Sequence, residues 1–533
     1  MAKKSAEIII LLMILAAAIL LALNASQFFL RLDLTGSKAF TISPVSRKLF
    51  QEIPERVFIT YYVSDKLKSL YPFPAQVEDL LNEYAAYSRG KISVSVRDPA
   101  RAGETSVAES LGVYPQQIEV VEKDEQTVAV VYTGIVIQYL DRSETLPLVA
   151  RLESLEYELT SKVRKVVSNE VRKLGLLVGD AGKQLRQDYE RLVGRLGADF
   201  AVEEIERGKD IPQDLSLLFV LGNQDLSEFD LYPIDQYLMK GGKALFAVEG
   251  VKLDLLRGMA ASKLEQSPLL DLLESYGVKV KRELVLDKYC KNFRIPRQIF
   301  GQIMWELREK YPLWITVADQ FTAKDNPITA RFSGLDLYWA SPLELVEKPG
   351  VSGKALVKTT PEAWTMADRF ETLPERVSML SYGKQESTGQ YTLAATLTGS
   401  LSSFFKGKAI PTREGEKRDW AQSVAESKET RLIVIGDSDF ASGLYMYTDA
   451  EYNQEFLSNC AQWLGNAEDL LAIKTRSSRD LRLNKIQDPV QRLGFALFTQ
   501  LLTVVLVPLL VIGFGIARML VRRKKSLTVG QEG

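Results

Sequence analysis

The chain contains no histidine in 533 residues. That absence removes Ser-His-Asp and Cys-His nucleophile systems, histidine-ligated zinc or iron, and any phosphohistidine relay. Cysteine is almost as scarce, and Cys290 with Cys460 cannot make a metal site alone. A disulfide between them is allowed in an oxidising compartment; two free thiols are the alternative. The sequence has neither a C-x-x-C pair nor a G-x-x-x-x-G-K-[ST] loop. Excess charge of one sign is also lacking: 67 Lys and Arg face 68 Asp and Glu, interspersed, so no nucleic-acid partner is expected.

What the chain does have is a long uncharged run at each end. Leu493 to Ala517 carries no charge between Arg492 and Arg518. As a helix it would reach roughly 37 Å, more than the ~30 Å hydrocarbon core of a bilayer. Arg518, Arg522, Arg523, Lys524 and Lys525 follow at once, which places residues 518–533 in the cytoplasm. At the other end, Lys3 and Lys4 precede the apolar run Ile8 to Leu23. The run exceeds a usual signal core, and Asn24 occupies the cleavage position of Ala22-Leu23-Asn24, so an uncleaved anchor over residues 1–31 is expected. Both termini are then cytoplasmic, with the bulk displayed outside the cytoplasm and membrane lipid as a contact.

Residues 32–150 predict a small α/β layer. Ser43 before Pro44 is an N-cap and N1 pair opening a helix through Phe50. A strand over Val57 to Val63, a helix over Pro74 to Tyr87, a strand over Ile92 to Val96 and helix around Ser106 to Leu111 follow. Val128 to Tyr139 with Leu146 to Val149 reads as a hairpin. The order β-α-β-α-β-β suits a thioredoxin-like layer, but without C-x-x-C it predicts a binding or spacing module rather than a redox enzyme. Residues 151–171 form a connector helix, with Leu152, Leu155, Leu159, Val163 and Val166 on one face.

Residues 172–470 predict a second α/β domain with insertions. Strands at Leu174 to Val178, Leu215 to Leu221 and Ala244 to Val248 alternate with helices at Gln184 to Leu196 and Tyr232 to Met239. Apolar strands flanked by amphipathic helices predict a parallel sheet covered on both faces. Cys290 to Gln320 reads as aromatic and helical; Ile328 to Phe332, Leu337 to Trp339 and Tyr391 to Leu397 as strands; Phe405 to Thr430 as a mobile loop. Arg431 to Phe440 is a strand ending in Gly436-Asp437-Ser438-Asp439, followed by a helix over Glu455 to Leu464. A basic linker, residues 471–492, returns to the span at residues 493–517. Ligands on such sheets sit beyond the carboxyl ends of the strands, so Asp180, Asn223, Glu249, Asp437 and Asp439 mark the expected ligand-binding rim. Gly179-Asp180-Ala181-Gly182 is neither a phosphate loop nor a nucleophile elbow. Asp437 and Asp439 supply too few oxygens for a metal, so no metal or cofactor is expected.

Three blocks carry a family likeness: LDLTGSKAFTISPVSRKLF after the first apolar run; ESLEYELTSKVRKVV leading into KLGLLVGDAG and YLMKGGKALFAVEG; and RLIVIGDSDFAS with NQEFLSNCAQWL. In this order the chain resembles the auxiliary subunits of ABC-type transport systems, a family that includes the gliding-motility protein GldG. The resemblance implies a domain similar to class I glutamine amidotransferases (flavodoxin-like in its parallel sheet), held outside the cytoplasm and flanked by N- and C-terminal transmembrane helices. It also implies a separate ATPase and a polytopic permease as partners; self-association stays open. Relatives often carry Gly-His-Gly-Glu after the first strand of that domain. The turn here, Gly179-Asp180-Ala181-Gly182, has neither the His nor the Glu, and the amidotransferase nucleophile is missing, which implies a non-catalytic domain. A structural scaffold of the cell envelope is the rival expectation. A hydrolase would have to work from Asp437 and Asp439 with a metal.

Overall fold

The computed structural model describes residues 42–473 except 123–124, 151, 153, 169–171, 256, 300–301, 330–331, 381–387, 414–422, 466–469 and 472, plus isolated positions 498, 513 and 515. Both expected anchors, Ile8 to Leu23 and Leu493 to Ala517, lie outside the described residues. Among the described residues no helix is long and apolar enough to cross a membrane. The described body belongs to one compact unit, Met1–Ser478, and almost all of the other, Arg479–Gly533, falls outside the description. The architecture is mixed α/β with several sheets.

The amino-terminal layer begins with helix α1 (Pro44–Glu52), whose Ser43 cap accepts from the Ser46 backbone N–H. Strand β1 (Val57–Val63), helix α2 (Phe73–Tyr87) and strand β2 (Ile92–Arg97) follow, with β1 and β2 parallel. Next come β3 (Gln116–Glu122) and β4 (Glu125–Val131), paired only with each other, then β5 (Thr133–Tyr139) and β6 (Arg142–Leu146). The main sheet has the order β2-β1-β5-β6. Val128 to Tyr139 is therefore not one strand: it divides at Tyr132 between two sheets, and the second half pairs with Arg142–Leu146 instead of Leu146 to Val149. The Tyr132 N–H donates to Ser64 Oγ at 2.9 Å, leaving the ladder at the point of division.

Helix α3 (Leu155–Val167) buries Leu155, Leu159, Val163 and Val166 in the core of this layer. A polar seam joins it to α1. Glu156 Oε1 accepts from the Ser43 N–H at 2.7 Å and the Ser46 hydroxyl at 2.8 Å. Thr160 and Tyr84 close the seam, with the Tyr84 hydroxyl donating to the Glu156 carbonyl at 2.9 Å. Removing Glu156 strands two donors, so Glu156→Ala should lower stability by about 1–2 kcal/mol in urea unfolding. A loss within 0.3 kcal/mol of zero (about the scatter of such values) would show the seam to be energetically idle. Beside this seam, Val45 of α1, Tyr157 of α3, and Leu470 and Ile473 form one small apolar cluster.

In chain order the larger sheet has β7 (Lys173–Val178), β8 (Ala201–Glu204), β9 (Leu215–Leu221), β10 (Ala244–Ala247), β11 (Val278–Val280), β12 (Leu343–Leu345), β13 (Val351–Lys358), β14 (Thr392–Ser402) and β15 (Glu426–Ile435). Its path is β11-β12-β14-β15-β10-β9-β7-β8, with β13 also pairing β14. Strands β8, β7, β9, β10 and β15 run parallel; β14, β12, β11 and β13 extend them antiparallel. Alternation explains the two covered faces. In β9, Leu217, Phe219 and Leu221 face one apolar core, and Leu218 and Val220 the other. Helices α4 (Glu190–Gly197) and α7 (Tyr452–Leu464) cover the first face; α5 (Glu228–Met239) and α6 (Pro268–Tyr276) cover the second.

Several local expectations need correction. Cys290 to Gln320 is not helical: Cys290–Ile299 and Gln302–Val317 form an antiparallel hairpin that Leu335–Tyr338 extends. Its second strand buries Tyr311 through Ile315 and Val317, and Pro312 would break a helix there. In the stretch Ile328 to Phe332, residues 330–331 are outside the description, and Pro327–Thr329 is a 3-10 turn rather than a strand. The expected loop Phe405 to Thr430 ends in strand, because β15 starts at Glu426 against Ser402. The helix over Gln184 to Leu196 breaks between Asp188 and Glu190. Helix α5 starts four residues before Tyr232, because Ser227 and Asp230 form a capping box. Cys290 and Cys460 are both free thiols.

Candidate functional site

The turns after β7, β9, β10 and β15 meet at the carboxyl edge of the parallel strands. Gly222, at φ +87°, lets the second turn approach the first: a Cβ there would stand 2.4 Å from the Asp180 carboxyl carbon. Gly179 faces the same crowding, since its Cβ would come within 2.1 Å of the Gly222 carbonyl. These glycines are there for close packing of turns.

Two of the five expected rim residues brace the edge through backbone groups. Asn223 donates to the Glu249 carbonyl and Ser267 Oγ, both at 3.0 Å, and accepts from the Glu249 N–H at 2.9 Å. Asp437 accepts from the Tyr338 N–H at 2.6 Å, the Asp439 N–H at 2.7 Å and the Phe440 N–H at 3.3 Å. Burial first, then the Asp439 carboxylate, pushes the Asp437 pKa well above its ordinary value.

Asp180, Glu249 and Asp439 are brought together around Lys183, which the sequence did not single out. The Lys183 ammonium lies 2.6 Å from Asp439 Oδ1 and 3.4 Å from Asp180 Oδ2. Asp180 Oδ1 also accepts from the Gln224 N–H at 2.9 Å. Glu249 accepts from the Gln224 side-chain amide through one oxygen and from the Ser438 hydroxyl, at 3.1 Å, through the other. Gln224 and Ser438 are further members that the sequence did not mark. Burial raises the Asp180 pKa, against the pull of Lys183. Burial, then Asp439 and Asp180, pushes Glu249 up to about 8. Burial pulls the Lys183 pKa down, but Asp439, Tyr189, Asp180 and Glu249 outweigh it and hold the ammonium charged.

The chemistry open to this arrangement is recognition of a cation or of hydrogen-bond donors, since acids outnumber the lysine. Both oxygens of Asp437 are engaged by backbone and Asp439 Oδ1 by Lys183, so the hydrolase expectation of a metal on this acid pair finds no support in the geometry. Among the described residues no set of three Asp, Glu or Cys is arranged to hold a metal.

A family model described as an ABC-type uncharacterized transport system matches residues 171–471. A second, described as a domain of unknown function, matches residues 36–138. An uncharacterized protein of Borreliella burgdorferi is 26% identical over 538 residues, covering 99% of this chain and 100% of its own length. Among solved structures, a protein from Bacteroides uniformis titled ThuA-like aligns over 56% of this chain and 93% of its own, with 9% identity and a TM-score of 0.27. A superposition that loose carries no argument.

Proposed function

The chain belongs to the family of ABC-type uncharacterized transport systems, and from that premise we propose that it is a membrane-anchored auxiliary component working with a separate ATPase and permease. Its α/β body stands outside the cytoplasm, and the Asp180–Lys183–Glu249–Asp439 rim receives a substrate or an envelope partner. The protein itself binds rather than catalyses: with no histidine in the chain and no cysteine at the rim, neither amidotransferase nor Ser-His chemistry has its parts.

One observation carries the anchoring. Val45, Leu470 and Ile473 pack on the same Tyr157, so the described body begins and ends at one place. A body whose ends lie together suits one held on a single face of a bilayer. A body threaded through its membrane from opposite ends would have no need of this.

Affinity purification of the full chain from mild detergent should bring down an ATPase and a polytopic permease. Isolation of the chain alone across several detergents would defeat the transport reading. Protease added to intact spheroplasts should digest the body; digestion only in inverted vesicles would defeat the topology.

A further inference from the structure

Lys183 occupies its seat from outside. Ala181 and Gly182, on the turn before it, are exposed, and a Cβ on Gly182 would meet nothing within 4 Å. The side chain then runs inward to the acids, remaining 22% exposed. Among the described residues it is the one cation paired with Asp180 or Asp439, and none is paired with Glu249.

Two buried polar atoms at the seat are left without hydrogen bonds among the described residues. One is Asp180 Oδ2, on a residue 4% exposed, whose contact with Lys183 is long at 3.4 Å. The other is the hydroxyl of Tyr189, a residue only 1% exposed. Burial raises the pKa of that phenol, and the Lys183 ammonium opposes the rise. An unpartnered carboxylate oxygen 3.4 Å from the ammonium and the unpartnered phenol oxygen of Tyr189 are acceptors that a second ammonium would use.

We propose that the rim recognises a primary ammonium on an unbranched alkyl stem, and that Lys183 fills this seat as an internal stand-in until such a group displaces it. The proposal rests on the rim being the ligand site. It narrows the ligand to a free alkylamine or the side chain of a lysine in a partner segment. A compact ammonium with three donors fits two carboxylates and a phenol better than a planar guanidinium, which pairs with one carboxylate in a fork.

The test is rescue of Lys183→Ala in the full chain in detergent. This variant leaves a channel the length of the propylammonium it removes. Its melting temperature should fall, and n-propylammonium chloride should restore it saturably. At roughly 100 mM, and for a site of about 10 mM affinity, the rise should be about 2 °C above that in equimolar sodium chloride. Lys183→Met, whose neutral stem fills the channel, and the double variant Lys183→Ala with Asp439→Asn should not respond. If Lys183→Ala does not fold unaided, its refolding yield in n-propylammonium against sodium is the readout. Rescue also by N-acetyl-lysine-N-methylamide assigns the seat to a peptide lysine; rescue by n-propylammonium alone assigns it to a small amine. Equal responses of all variants, or none from Lys183→Ala, would overturn the proposal. Neither result bears on the ATPase and permease pull-down.

Discussion

Asp437→Ala is expected to lower stability by about 3–4 kcal/mol, the largest loss of any single change at the rim. Its carboxyl is the acceptor for the backbone N–H groups of Tyr338, Asp439 and Phe440, and the residue is 1% exposed. Alanine leaves those donors facing a void that water cannot readily enter, and a stranded buried donor costs about 1–3 kcal/mol. Asparagine keeps one oxygen for the Asp439 turn but turns an NH2 toward the Tyr338 N–H, so it should cost about half as much. Trp314 and Trp339 lie against Tyr338, with ring centroids 5.3 Å and 6.4 Å away, so tryptophan emission reports on this part of the fold. Urea unfolding followed by that emission measures the loss through the shift in midpoint at constant slope. If Asp437→Ala unfolds within about 0.5 kcal/mol of the parent, the size of ordinary surface effects, the carboxyl is not what holds β15 to Tyr338.

The parallel core was legible because its signal is local. Leu215–Leu221 is apolar on both faces, and only a strand covered twice can bury such a run. The hairpin over residues 290–317 was misread because charged and aromatic residues there imitate helical spacing. Pro312, inside the apolar run Tyr311 to Val317, is the local signal against a helix there. The division of Val128 to Tyr139 depends on Ser64, 68 residues from Tyr132, and no local pattern could announce it.

At the rim, strand ends followed by Gly, Asp or Asn were enough to point to Asp180, Asn223, Glu249, Asp437 and Asp439. The roles were not legible, because each depends on a distant partner. Lys183 sits in an exposed turn and reads as surface charge; its burial comes from Asp439, 256 residues further along. Ser438 acts on Glu249 from 189 residues away. Tyr189 reads as ordinary core, and its idle hydroxyl becomes visible only once the turns are assembled.

Raising the pH from 5 to 9 should destabilise the body by about 4 kcal/mol, and Glu249→Gln should remove much of that fall. Burial, with Asp439 and Asp180 as like-charged neighbours, pushes Glu249 up to about 8. The folded state therefore keeps a proton over a range in which the unfolded chain, ordinary for glutamate at about 4.3, has released it. Stability from this group is complete below the unfolded value and is lost as pH rises through the folded one. Asp180 and Asp437 shift the same way, so a residual slope should survive the substitution. Lys183 moves upward, stays charged across the whole window, and adds no slope of its own there. Glutamine keeps the length of the side chain and an oxygen for Gln224 or Ser438, but has no proton to release. Urea midpoints of the parent and of Glu249→Gln, taken at each pH unit, separate the two contributions. Parallel profiles for the two proteins would mean that Glu249 ionises as an exposed carboxylate does. The turns after β7, β10 and β15 would then enclose a wetter seat than their hydrogen bonds describe.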